Sequence, residues 1–218
     1  MGNKIAADSR LLDVAIDHFG RLGLSGASTR AIARDAGTPM SSITYHFGGK
    51  EGLYLAAAEH IAEQVGASLE PAAEEAERAC ERVGDPARAR QALHSVYRLM
   101  VDVLVGADTA AAARFILREQ ADPTEAFTRI YDRVMAPLLS RMTTLLGIIS
   151  RGRLKERERR IRALTLAGQV LVFRAAREAT LRGMGWTRIG AHEVEMIQQA
   201  IADNLDAVLD RIAGGDSA

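Results

Sequence analysis

Apolar side chains recur with helical spacing along almost the whole chain of 218 residues, and no stretch shows the sustained alternation of a β-strand. Apolar residues make up 48% of the chain and aromatic residues only 5%, so aliphatic side chains must supply most of the core. These features predict an all-α fold with one large domain or two small ones. The candidate helices cover residues 8–22, 29–36, 39–47, 50–65, 72–83, 87–105, 110–120, 125–150, 155–182 and 192–212.

Composition excludes several classes of protein. The single cysteine, Cys80, cannot form a disulfide within the chain or build a multi-cysteine zinc or iron–sulfur site. The longest uncharged apolar stretches, residues 142–150 and 164–173, are shorter than the roughly 20 residues that a membrane-spanning helix needs. The first residues also lack the apolar core of a signal peptide. We therefore expect a cytoplasmic protein without a membrane partner.

The chemistry-bearing residues form no catalytic pattern. The five histidines show no metal-ligand spacing, and none follows a glutamate by three residues as a di-iron bundle requires. The sequence has no phosphate-binding Gly-rich loop, no nucleophile elbow and no Cys/His pair. We expect a protein that is not an enzyme and that holds no metal and no cofactor.

Helix length changes in the first third of the chain. Up to about residue 65 the candidate helices are short and joined by tight turns, and beyond it they are long. This contrast predicts two domains, residues 1–65 and residues 66–218, with a helical bundle as the second.

Residues 28–47 have the spacing of a helix-turn-helix. Ala33 is small where a second helix must cross closely, and Gly37 can adopt the positive φ of a sharp turn between helices. Ile43, six residues later, would fill the angle between the two helices. The three spacings together predict a pair of short helices joined at a fixed angle.

The second helix of this pair is expected to begin at Thr38 and Pro39, an N-cap residue followed by proline at the first helical position. With Ile43 turned inward, Met40 and Phe47 lie roughly on the same side. The outward and flanking positions all carry hydroxyl groups, at Ser41, Ser42, Thr44 and Tyr45. A short helix of this kind fits a DNA major groove, where hydroxyls bond base edges and phosphates.

The residues in and after this segment resemble the TetR family of bacterial repressors. The resemblance rests on Thr29, Ile32, Ala33, Ala36, Gly37, Tyr45, His46, Phe47, Lys50, Glu51 and Leu53. It covers about residues 8–65 and implies that the second and third helices read DNA, with Lys50 on a phosphate. The expected DNA contacts are Ser28, Thr29, Arg30, Thr38, Ser41, Ser42, Thr44, Tyr45, His46 and Lys50.

Charge supports DNA binding only locally. Between residues 18 and 50 the basic residues outnumber the acidic ones, because only Asp35 opposes Arg21, Arg30, Arg34 and Lys50. Residues 1–65 as a whole hold one more acidic than basic residue, so the basic surface must be confined to one face. The alternative is that residues 28–47 form a helical corner within a core.

Many family members have Gly in place of Ser41 and Tyr in place of Thr44. Both positions lie on the outward face, so the operator preferred by other family members cannot be assigned to this chain.

Two later helices have apolar faces suited to a partner subunit. In the helix over residues 161–179, two opposite faces are apolar, so one can face the domain core and the other a second copy. The last helix carries an apolar stripe in helical spacing from Val194 to Ile212. The expected homodimer interface comprises Leu164, Gly168, Leu171, Ala175, Ile197, Ile201, Leu205 and Val208. The alternative is that both helices pack only within the monomer.

Residues 114–127 resemble the C-terminal domain of CecR-like regulators, a TetR subgroup, and this resemblance extends over about residues 80–212. It implies a site for a small-molecule effector, and ligand sites favour an apolar lining with a few polar groups. The expected lining is Arg118, Glu119, Phe127, Tyr131, Gln169, Phe173 and Arg174. An internal Arg–Glu pair with ordinary core aromatics is the alternative.

These features together predict a homodimeric transcriptional regulator, a repressor rather than an activator, on a palindromic double-stranded DNA operator. An effector that binds the non-DNA form better would release it. One alternative is a helical enzyme, but the sequence contains no catalytic constellation that would support it. The other is a helical interaction or ligand-binding scaffold without DNA binding, which charge reversal at Lys50 would distinguish.

Overall fold

The computed structural model describes residues 2–81, 84–106 and 109–214, and within these ranges every regular element is a helix. The all-α prediction is confirmed. A π-helical turn, Tyr131–Met135, stands between the seventh and eighth α-helices. The α-helices are α1 (Gly2–Gly26), α2 (Thr29–Ala36), α3 (Met40–Phe47), α4 (Lys50–Glu81), α5 (Pro86–Val105), α6 (Ala110–Ala121), α7 (Glu125–Ile130), α8 (Ala136–Ile149), α9 (Glu156–Ala175), α10 (Arg177–Met184) and α11 (Ala191–Gly214).

The helices fall into two compact units. Unit 1 comprises the described parts of residues 1–65 and 110–134, and unit 2 those of residues 66–109 and 135–218. The units differ from the domains expected from helix length, because residues 110–134 lie in unit 1. The reason is a long-range contact between α6 and α1 that helix periodicity does not report.

Unit 1 is built on an aromatic cluster. Tyr54 of α4 lies edge-on against Phe19 of α1, with 4.8 Å between the ring centroids, and 4.7 Å from the ring of Phe115 in α6. All three rings are buried. Two side chains of α6 also bond to α1: Arg114 pairs with Asp17 at 2.8 Å, and Arg118 donates to a backbone carbonyl oxygen of α1. The cluster thereby holds α1, α4 and α6 together.

Unit 2 is a bundle around α5, which contacts α8, α9 and α11. Its core is aliphatic, with Val96, Leu145, Val170 and Leu205 all at most 1% exposed. This composition is what the low aromatic content predicted.

Proline and backbone geometry set helix limits that differ from the expected ones. Residues 50–81 form one helix instead of two, and Pro71 lies inside it. Residues 125–149 divide at the π-helical turn, and Pro137 stands in the first turn of α8, directly after that turn. The predicted helix over residues 155–182 is interrupted at Ala176, whose φ and ψ of −105° and 34° are not helical.

Candidate nucleic-acid interface and effector region

The helix-turn-helix forms in unit 1 as the residue spacing predicted. The Ser28 side chain caps α2 by accepting from the backbone N–H of Ala31. Gly37 ends α2 in the left-handed conformation, with φ of 70° and ψ of 30°. A side chain at this φ would strain the backbone, so glycine permits the sharp turn. Ala33 and Ile43 are buried at 3% and 1% exposure, which places the crossing and the plug where we expected them.

Helix α3 presents a polar outer face on the side opposite its buried Ile43. Ser41, Thr44 and Tyr45 are exposed, and Tyr45 retains 84% of its accessible surface. Phe47 is half-buried, whereas Met40 is 47% exposed and does not share the buried side as expected. The face is therefore rich in hydroxyl groups and open to a large partner.

The start of α3 differs from the prediction by one residue. The helix begins at Met40 with Pro39 at the cap position, and no side chain caps it. The expected N-cap role of Thr38 is wrong, because Pro39 occupies the cap position. The backbone N–H of Thr38 bonds back to the Ala33 carbonyl oxygen at 2.9 Å and so belongs to the end of α2. The Thr38 hydroxyl is buried and has no partner among the described residues. The turn thus uses Thr38 through its backbone.

The other expected DNA contacts lie around α3. Ser28 and Arg30 are exposed at the start of α2, Thr29 and Ser42 are half-buried, and His46 is exposed beside Tyr45. Lys50, at the first residue of α4, donates through Nζ to the Ser25 carbonyl oxygen at 3.0 Å. In this structure Lys50 therefore bonds to the end of α1.

Glu119 is the most buried of the expected effector residues, at 1% exposure. Its carboxylate accepts from the Tyr54 hydroxyl at 2.5 Å, from the backbone and hydroxyl of Thr124, and from the backbone N–H of Phe127 at 2.9 Å. Burial, and then this hydrogen bond, raises the pKa of Tyr54. These bonds tie α4, α6 and α7 together, so the geometry gives Glu119 a structural role instead of an open ligand-facing one. Tyr54 was missed by sequence reasoning because its partner lies 65 residues away.

Three further expected effector residues, Arg118, Phe127 and Tyr131, also lie in unit 1. Arg118 is exposed and donates to the Arg21 carbonyl oxygen at 3.1 Å, so it does not pair with Glu119. Phe127 and Tyr131 stack with 5.8 Å between ring centroids, and Tyr131 is 39% exposed. This aromatic pair at the π-helical turn leaves part of its apolar surface exposed.

The remaining expected effector residues lie on α9 in unit 2. Arg174 is buried at 8% exposure, and Gln169 and Phe173 are half-buried. Gln169 accepts a hydrogen bond from the Asn204 side chain of α11 at 3.2 Å. The structure thus distributes the seven expected residues over both units.

A groove of about 540 Å³ runs between α5 and α11 in unit 2. Tyr97, Val101 and Leu205 form its buried apolar floor. One polar residue of its lining already has a partner outside it, since His94 pairs with Asp206 at 2.8 Å. None of the expected effector residues is among the described residues that line it.

The two expected dimer helices differ in exposure. On α9, Leu164 is 56% exposed and Gly168 and Ala175 are also open, whereas Leu171 is half-buried. Leu166 and Val170 of the opposite face are buried, as a two-faced helix requires.

The apolar stripe of α11 faces inward. Ile197, Ile201 and Leu205 are at most 5% exposed within the single chain, and Val208 is half-buried. The expectation that these three face a partner is wrong, because α5 already covers the stripe. Packing within the single chain therefore accounts for the burial of these three residues.

Two other features are absent from the described ranges. No group of three or more His, Cys, Asp or Glu side chains is placed to hold a metal ion there. Within the same ranges, no helix has the length and apolar character of a membrane span.

Two family models match the chain. Residues 11–57 match the family described as bacterial regulatory proteins, tetR family. Residues 89–212 match the family described as the C-terminal domain of the HTH-type transcriptional dual regulator CecR. The second match covers more than half of the chain.

One relative and two solved structures extend the likeness over at least nine-tenths of the chain. The HTH-type transcriptional dual regulator CecR of Shigella flexneri is 35% identical over 93% of this chain and 91% of its own. AibR, solved with isovaleryl coenzyme A and operator DNA, has a TM-score of 0.65 at 14% identity, covering 91% of this chain and 97% of its own. FadR from Bacillus subtilis, solved with stearoyl-CoA, has a TM-score of 0.61 at 17% identity, covering 90% and 96%. At these identities the two structures establish the fold alone.

Proposed function

Because this chain belongs to the TetR family and carries a CecR-type C-terminal domain, we propose that it is a homodimeric repressor that a small-molecule effector releases from operator DNA. Family membership makes it a transcriptional regulator and not an enzyme. The repressor role, the dimer and the release by an effector are the proposal.

The observation that carries the proposal is the hydroxyl-rich outer face of α3 above the buried Ile43. The buried Ile43 side chain holds α3 against the domain, while the exposed hydroxyls and the Tyr45 ring remain free to contact base edges and phosphates. The proposed contacts are Ser28, Thr29, Arg30, Ser41, Ser42, Thr44, Tyr45, His46 and Lys50. Thr38, whose hydroxyl is buried, is proposed to act indirectly by holding the turn before α3. Lys50 would exchange the Ser25 carbonyl oxygen for a phosphate when DNA binds.

Dimerisation is proposed through the exposed face of α9, centred on Leu164, Gly168, Leu171 and Ala175. The small residues Gly168 and Ala175 allow a second helix to approach closely. Two helix-turn-helix units related by a twofold axis, one from each copy, fit a palindromic operator.

Release is proposed to act through α6. Arg114 and Arg118 join this helix to α1, and Glu119 joins it to α4, so a displacement of α6 would pull on the helices that support the reader. The Phe127–Tyr131 pair follows α6, its Tyr131 ring is 39% exposed, and it is the proposed apolar contact of the effector, with Arg118 as a further candidate in unit 1. Gln169, Phe173 and Arg174 of unit 2 are separate candidates for an effector contact. The effector must bind the released form better than the DNA-bound form. Isovaleryl-CoA and stearoyl-CoA, which the two fold neighbours hold, are the first compounds to try.

The test is selection of duplex DNA from a random pool by the purified full-length chain, followed by gel shifts with the recovered duplex. Tyr45→Ala is expected to weaken binding at least tenfold, because Tyr45 is 84% exposed and its loss removes contacts to DNA rather than to the fold. Met184→Ala, an exposed residue of α10 in unit 2, is the matched control and should bind as the wild type does. Recovery of no duplex, or equal binding by Tyr45→Ala, would contradict the proposed interface and favour the scaffold.

A further inference from the structure

Helix α1 breaks near its end, at Gly23. The φ of 72° and ψ of 174° at this residue lie in a region that essentially only glycine adopts. The turn after the break, residues 24–26, leads through Ala27 directly to Ser28, the N-cap of α2. We call residues 23–27 the joint. Its backbone geometry sets the direction in which the chain enters the helix-turn-helix.

Two cations hold this joint, and they come from different helices. A helix leaves its last carbonyl oxygens without partners in the helix, so the break creates acceptors for other donors. Arg118 of α6 donates from Nη2 to the Arg21 carbonyl oxygen, just before the joint, at 3.1 Å. Lys50 of α4 donates from Nζ to the Ser25 carbonyl oxygen, inside the joint, at 3.0 Å. Both positive charges lie near the end of α1, where the helix dipole favours cations.

The guanidinium of Arg118 also lies beside the break itself. A Cβ placed on Gly23 would be 3.0 Å from Nη1 and 3.4 Å from Cζ of Arg118. Position 23 therefore needs glycine for space as well as for its φ. One side chain thus spans the break, with Nη2 on the helix before it and Nη1 beside the first residue of the joint.

The proposed DNA contact changes how the joint is held. In the free protein, Lys50 and Arg118 both hold it. In the proposed complex, Lys50 leaves Ser25 for a phosphate, and Arg118 alone remains on the joint. A side chain alters binding affinity only when its interaction differs between the free and bound forms. Loss of Arg118 costs more in the bound form, because there no second cation compensates for it.

We propose that Arg118 is a positioning residue for operator binding, which holds the entrance to α2 while Lys50 is on the DNA. The inference rests on the proposed exchange of Lys50 and assigns no DNA contact to Arg118. The expected effect is modest, because α2 is also tied directly to the long part of α1, where Nε2 of His18 lies 2.9 Å from Oδ2 of Asp35.

The experiment is a double-mutant cycle on the full-length chain, read as affinity for the selected duplex at several salt concentrations. Arg118→Gln is expected to weaken binding about fivefold, the usual effect of one lost hydrogen bond. In a Lys50→Gln background the same change should weaken binding less than about twofold, since the joint is then held alike in the free and bound forms. Lys50→Gln should also lower the salt dependence by about one phosphate, whereas Arg118→Gln should leave it unchanged.

Arg114→Gln is the matched control. Arg114 lies one turn earlier on α6 and pairs with Asp17 at 2.8 Å, on the part of α1 before the break. Its loss removes a link between α6 and α1 but leaves the joint intact, so affinity should stay within about twofold of the wild type. Arg118→Lys keeps a donor for the Arg21 oxygen and should restore most of the affinity.

Equal effects of Arg118→Gln in both backgrounds would show a general structural role and overturn the inference, as would equal losses in Arg118→Gln and Arg114→Gln. If Arg118→Gln does not fold, Arg118→Met, which keeps the aliphatic stem, takes its place in the cycle. A Lys50→Gln protein with the affinity and salt dependence of the wild type would overturn the proposed phosphate contact. Failure to select any duplex would overturn the DNA-binding proposal, and in both cases this inference with it.

Discussion

At the scale of single residues, the junction between α3 and α4 is defined by a close approach at Gly52. This glycine lies in the first turn of α4, and a Cβ placed on it would overlap the carbonyl oxygen of Phe47, the last residue of α3. A backbone atom cannot rotate away as the end of a long side chain can. The reading helix therefore keeps its place only while position 52 has no side chain.

Gly52→Ala is expected to lower the free energy of unfolding by about 1–3 kcal/mol, the usual cost of overpacking, and to weaken DNA binding by displacing α3. Gly66→Ala is the control in the same helix, because nothing lies within 4 Å of a Cβ there. It should raise stability by about 0.5–1 kcal/mol, since alanine is the better helix former. Urea denaturation measures both changes. Equal effects of the two variants would show that the close approach does not matter.

At the scale of elements, α5 and α11 are joined by an ionic cluster. Arg90 of α5 donates from Nε and Nη2 to Oδ1 of Asp206 at 3.0 and 2.7 Å, and from Nη1 to Asp210 at 2.6 Å. His94 contacts the same Oδ1 of Asp206 at 2.8 Å. The bonds from Arg90 and then His94 hold the pKa of Asp206 below its ordinary 3.8.

A carboxyl whose pKa is lowered by folding stabilises the protein above its ordinary pKa and loses that effect as the pH falls through the lower, folded value. Wild type should therefore exceed Asp206→Asn in stability above about pH 4, by about 1 kcal/mol or less because the pair is half-exposed. Below pH 4 the difference should shrink. Denaturation between pH 2.5 and 6 measures it.

Asp203→Asn is the control for this series, because Asp203 lies on the same helix and accepts a hydrogen bond from Gln199 of that helix at 2.8 Å. It should lack the same pH-dependent loss. A difference between wild type and Asp206→Asn that stays constant with pH would contradict the assigned role.

At the scale of the whole molecule, the apolar side chains exposed on α9 bear on the proposed dimer. Ile161, Leu164 and Val172 of α9 are each about half-exposed, which is unusual for large apolar side chains on one helix. On α11, by contrast, Ile197, Ile201 and Leu205 are already buried by contacts within the single chain. The proposed dimer therefore depends on α9 more than the sequence suggested.

Leu164→Asp is expected to convert the proposed dimer into a monomer at micromolar concentration, because it places a charge at the centre of an apolar contact. Sedimentation velocity of the purified chain measures this. Met184→Asp, at 52% exposure on α10, is the matched control and should remain dimeric. A Leu164→Asp protein that sediments as the wild type does would place the dimer contact elsewhere.

The sequence by itself determined the helix-turn-helix of α2 and α3. The spacing of Ala33, Gly37 and Ile43 fixes a turn whose geometry depends on residues only a few positions apart, so local backbone preference and helical period suffice. The same locality explains why the two faces of α9 could be recognised, one buried and one open.

Only the tertiary structure decided which partner covers each buried surface. Helical period reports that Ile201 lies on an apolar stripe, but not whether α5 or a second copy covers it. The contacts of Tyr54 with Glu119 and of His18 with Asp35 join residues 65 and 17 positions apart. Such pairings depend on how whole helices pack, and that packing is a property of the folded chain which no local pattern encodes.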